Sequence, residues 1–197
     1  MPRAAVLVVA MLVMWTTGLA TESLTERERQ HLLAHMDMTE GWLLDEVRGL
    51  TDAQVQFRRE PETWNIAQIV DHIVVVAPIY WQNLQAALKE PRGERTSWMT
   101  DAEVLWYGID RTWREKAISG ELPAPQPRDL ASSLKAYRMH HDRLRNYIKT
   151  TSDDLRNRIV ARQGCDAYQW ALLISTHEQR HILQIREVKS DPRFPGK

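Results

Sequence analysis

A single cysteine, Cys165, stands among 197 residues. No internal disulfide is possible, so stability has to come from packing. Charge of one sign is missing too: 26 Lys and Arg balance 26 Asp and Glu. That balance removes the basic footprint expected of a nucleic-acid binder. The chain has no internal repeat and no low-complexity tract, and little of it reads as strand. Its apolar run from Ala4 to Trp15 is shorter than the roughly 20 residues a membrane-spanning helix needs.

That run has another reading. Arg3 precedes it, and Gly18 and Ala20 place small residues three and one positions before Thr21. The pattern is that of a secretory signal peptide over residues 1–20, cut after Ala20, which predicts a secreted or periplasmic protein. The alternative is a short membrane anchor holding the same domain outside. No cysteine lies near the cut to take a lipid.

With 43% apolar residues, the rest suits one domain, expected over residues 24–190. Four segments show helical periodicity. From Leu24 to Val47, one stripe carries Leu32, Met36, Leu43 and Val47. A second segment starts at an N-cap-like Asn65 and runs through Ile69, His72 and Val76, with Pro78 expected to kink it. A third, Asp129 to Lys149, aligns Leu130, Leu134, Tyr137, Leu144 and Ile148, and the fourth covers Asp166 to Lys189. These predict an all-α four-helix bundle. A long connection, Pro91 to Arg128, joins the second and third helices and holds Trp98, Trp106, Trp113 and "LPAPQP". A short helix within Asp101–Trp113 fits its pattern, and we read the connection as crossover packing rather than a lid.

The fourth segment contains HEQRH, residues 177–181, which fits the zinc-peptidase pattern H-E-x-x-H. On a helix His177 and His181 lie about 40° apart, in mid-stripe and facing the core. Buried imidazoles need partners or a metal, because an unpaired buried polar group costs about 1–3 kcal/mol. The residues after His181 argue against a zincin. Gln184 and Glu187 occupy the places of the metzincin glycine and third histidine, and no later helix is left to supply a carboxylate. His31 and His35 share the same spacing but fall away from their apolar stripe, so that pair is expected to be solvated. A third ligand has to come from upstream. His72 is the natural candidate and His141 its rival, with His140 displaced toward solvent.

Trp64-Asn65 followed by a helix carrying His72, then His177, Arg180, His181 and Gln184 in H-x-x-R-H-x-x-Q, and the tail "VKSDPRFP" together resemble the DinB-like (YfiT-like) family of metalloenzymes. The resemblance spans Leu24 to Pro195. It implies a four-helix bundle holding one divalent metal ion on His72, His177 and His181, and a homodimer. Asn65 departs from a more usual serine, and Pro78 is a second departure. Zn²⁺, Ni²⁺ and Fe²⁺ all suit imidazole.

Three imidazoles leave coordination positions open, as catalytic sites do. Known activities in the family include thiol-dependent transferases and an isomerase, whose thiol cofactors are cytosolic. An exported chain would find reduced thiol scarce, which favours hydrolysis of a small-molecule substrate through metal-activated water. The alternatives are a thiol-dependent S-transferase and a non-enzymatic helical metal-binding or dimerisation module. No catalytic residue is assigned. Glu178 or His141 is a candidate general base, Glu178 competing with a solvated partner role to Arg180 or Arg186. Gln184 is a candidate support for a ligand, and Tyr137 a proton donor or plain core.

Overall fold

A computed structural model describes residues 24–93, 99–114, 116–161 and 164–196. The expected signal peptide and Trp98 lie outside them. Helix α1 is Glu26–Val47, α2 Asp52–Gln56, α3 Ile66–Lys89, α4 Asp101–Ile109, α5 Leu130–Thr150 and α6 Ala167–Lys189. The four long helices are those the periodicity predicts. No helix among the described residues is long and apolar enough to cross a membrane.

Each start has a local cause. Thr25, Asn65, Thr100 and Asp166 each accept from the backbone three residues on, and the residue there reaches back to the cap. Such reciprocal capping satisfies two orphan donors at once. Asn65 therefore caps α3 as the sequence predicts. That helix continues through Pro78, although the proline ring leaves one carbonyl without its usual donor.

Helix α6 is the centre of the molecule. It packs on α1, α3 and α4, while α5 packs on α1 and α3. Its residues from Ile174 to Ile182 are all buried, so the solvated face predicted for Glu178 and Arg180 does not exist. Glu178 is covered by Thr39 of α1 and Tyr137 of α5, and Arg180 by α4, which the long connection lays across α6. Gly108 makes the approach possible: a Cβ there would sit 2.8 Å from Gln179 Oε1 and 3.0 Å from the Thr176 carbonyl. Within the described part of the connection, α4 thus packs on α6.

Two apolar clusters flank the middle of α6. One gathers Leu32, Leu84, Leu155 and Trp170, the other Leu43, Ile69, Ile73, Ile182 and Ile185. Between α5 and α6 a two-stranded hairpin pairs Ile159–Val160 (β1) with Cys165–Asp166 (β2). Arg156, just before it, contacts Glu28, Asp101 and Asp166 at 2.8, 2.7 and 3.1 Å. These acids stand at the starts of α1, α4 and α6, where the helix dipole favours negative charge. One guanidinium therefore joins three helix N-termini.

Candidate metal centre

His72 on α3 meets His177 and His181 on α6 beneath the connection. The Nε2 atoms of His72 and His181 lie 3.3 and 3.1 Å from Nε2 of His177. All three residues are buried. Ligands about 2.0–2.1 Å from a metal ion, subtending octahedral to tetrahedral angles, have nitrogens about 2.9–3.4 Å apart. The observed spacings fall inside that interval.

The outer nitrogens are committed. His72 Nδ1 donates to the carbonyl of Glu121, and His181 Nδ1 donates to Gln184 Oε1 at 2.9 Å. With protons fixed on Nδ1, both rings turn a lone pair toward His177. Gln184 has the supporting place the sequence suggests. Burial, reinforced by His72 and Arg180, pushes His177 down to about 3. Burial also lowers His72, and carries His181 well below its ordinary value with the charges of His177 and His72 adding to it. Neutral imidazole is the form that ligates a cation, so the donor set fits one divalent ion.

Asp71, which helical spacing does not single out, makes the Glu121 contact possible. Its buried carboxylate accepts from the Ala124 N–H at 3.0 Å and from Arg128 at 2.7 Å. That pair of bonds ties the proline-rich segment to α3 one residue from His72. Trp64 covers the cluster, its ring centroid 4.9 Å from His72 and 6.3 Å from His181. Tyr80 approaches His177 edge-on at 5.4 Å. Neither role was visible in helical spacing.

Above the histidines opens a cavity of about 670 Å³, walled by Trp64, Tyr80, Tyr107, Arg111, Leu122 and Gln184 among others. Its volume is that of a small-molecule site. Arg180 stands in the wall but is already engaged, donating to the carbonyls of Tyr107, Asp110 and Trp113. It fastens the end of α4 beside the cavity.

Several sequence candidates lie elsewhere. Glu178 points away from the histidine cluster, accepting from Tyr137 at 3.1 Å and Thr39 at 3.3 Å. Burial carries its carboxyl up to about 7, although His141, Tyr137 and Thr39 pull it down. It is neither a solvated partner of Arg180 nor a neighbour of the histidines. His141 is buried on the same far side, donating from Nε2 to the Met36 carbonyl at 3.2 Å, with Nδ1 at 3.6 Å from Glu40. His141, Tyr137 and Glu178 line a separate small cavity beside Trp81. Of the N-terminal pair, His31 is exposed as expected. His35 is not: its ring nitrogens lie 2.8 Å from Ser175 Oγ and 3.1 Å from Gln179 Oε1. Helical projection weighs only the apolar stripe, and this polar seam between α1 and α6 falls outside it.

The architecture and the converging imidazoles define a class: helical bundles bearing a three-histidine site at the floor of a cavity. The chain belongs to the DinB superfamily, which it matches over residues 24–185. It is similar to the uncharacterized protein YuaE of Bacillus subtilis (strain 168), 24% identical over 148 residues, which are 74% of this chain and 89% of that protein. No solved structure matches.

Proposed function

We propose that the protein is a metal-dependent enzyme that hydrolyses a small molecule, with His72, His177 and His181 as the ligands of one Zn²⁺, Ni²⁺ or Fe²⁺ ion. The observation that carries this reading is the approach of the His72 and His181 Nε2 atoms to within 3.3 and 3.1 Å of His177 Nε2, both from rings whose Nδ1 is held by an acceptor. When bound, such an ion supplies Lewis acidity, lowering the pKa of water and polarising a carbonyl. The chain's own residues do the rest. Glu121 and Gln184 hold two rings in the ligating tautomer, Trp64 shields them, and the cavity above admits and orients the substrate.

Export accompanies this reading. The apolar run and the Gly18, Ala20 pattern support cleavage after Ala20, delivering the enzyme where reduced thiols are scarce and hydrolysis is favoured over thiol transfer. A homodimer is the expected assembly. The test compares metal-loaded, chelator-stripped and His72→Ala protein against a panel of small esters, amides and lactones. Turnover only by the loaded wild-type chain supports hydrolysis. Turnover that is indifferent to metal and to His72 overturns it. A mature N-terminus at Thr21, read by mass spectrometry of the natural protein, tests export, and an intact Met1 overturns it.

A further inference from the structure

The wall of the cavity is strongly cationic on one side. Among the described lining residues, Arg59, Arg111, Arg114, Lys116 and Arg180 stand against Glu62, Glu121 and Glu187. Arg180 is engaged by three carbonyls and is set aside. The other three guanidiniums converge on one carboxylate. Arg111 takes both oxygens of Glu187, at 2.9 and 3.1 Å, whereas Arg59 and Arg114 remain at 3.8 and 3.7 Å.

Those longer separations exceed hydrogen-bonding distance. Arg59 has a second carboxylate, Asp191, at 3.7 Å, which it shares with the closer Arg193. Among the described residues Arg114 makes no hydrogen bond, and its side chain is 68% exposed. One carboxylate is thus shared by three guanidiniums, leaving N–H donors for another planar oxyanion. Glu187 follows His181 by six residues, about 9 Å along the helix axis. Tyr107, Trp64 and Leu122 supply apolar wall around the same cavity.

We infer that the substrate is an oxyanion, a carboxylate or phosphate borne on a short apolar body, held by Arg111 and Arg114 with Arg59 while its reacting end lies at the three imidazoles. Placement of the reacting end rests on the metal-centre reading above. Recognition of the anion rests on the arginines alone.

The test is calorimetric titration of the purified chain, zinc-loaded and chelator-stripped, with adipate and with its uncharged diamide, adipamide. Adipate should bind at least tenfold more tightly than adipamide. Arg111→Gln with Arg114→Gln should weaken adipate at least tenfold, and Glu187→Gln, which frees the guanidiniums, should tighten it threefold or more. That gain cannot come from a misfolded variant. Equal binding of the diamide, absence of adipate binding, or adipate binding that ignores all three substitutions overturns the inference. Binding that depends on the arginines and is equal with and without zinc supports the oxyanion site and counts against the metal centre. Binding that vanishes on stripping yet ignores the arginines does the reverse.

Discussion

Replacing Gln184 by leucine perturbs the support of the metal centre without touching a ligand. Its Oε1 accepts the His181 Nδ1 proton at 2.9 Å, and leucine keeps the bulk but offers no acceptor. The His181 ring is then free to turn, or to carry its proton on Nε2, the nitrogen that faces His177. Loss of such a partner lowers metal affinity about 10–100-fold, equivalent to about 1.4–2.8 kcal/mol. The loss should be partial, because His72 is held by a backbone carbonyl that the substitution leaves in place. Competition for Zn²⁺ against a chromophoric chelator reads the affinity, with circular dichroism confirming the fold. Gln184→Glu should retain or tighten binding, since a carboxylate makes the imidazole more basic. Leucine binding zinc within twofold of wild type, or glutamate binding worse than leucine, would refute the reasoning.

Arg156→Met strands three acidic helix starts and should cost about 3 kcal/mol in urea denaturation; a cost under about 1 kcal/mol would mean that solvent screens the cluster. Gly108→Ala forces a methyl against Thr176 and Gln179. Overpacking of about 1–3 kcal/mol, less the helix-propensity gain of alanine, should leave a net loss near 1 kcal/mol, and a stabilised variant would contradict the tight crossing. For Glu46, burial raises the carboxyl, but hydrogen bonds from Lys189 and Arg186 outweigh it and leave it below its ordinary 4.5. Stability from a lowered carboxylate is present above the unfolded value and lost as pH falls through the folded one. Glu46→Gln should therefore lower stability at pH 7 and flatten its decline below 4.5; curves that stay parallel to wild type would exclude the linkage.

The long helices were legible because stripes such as Leu32–Met36–Leu43 coincide with buried faces, and because Asn65 and Asp166 carry a cap's chemistry. The triad was legible for a different reason. Spacing placed His177 and His181 toward the core, but the choice of His72 over His141 was carried by the resemblance. The burial of Glu178 is not legible in a helical projection, because Thr39 and Tyr137, which cover it, lie on α1 and α5. Arg180 is buried for another reason: Gly108 lets α4 lie against α6, and a face that projects as solvent becomes interior. His35 was misread likewise, since its partners Ser175 and Gln179 lie some 140 residues away. The arginine cluster depends on loop residues 111–114 meeting α6, a contact that no periodicity encodes.

Every catalytic role proposed for this protein requires three imidazoles to grip one cation. Elemental analysis of the full chain, purified without a histidine tag, tests that most directly. About one divalent ion per chain is expected, absent from His177→Ala while the helical circular dichroism signal survives. A wild-type protein that carries no metal and takes up none from dialysis against Zn²⁺, Ni²⁺ or Fe²⁺ would contradict it.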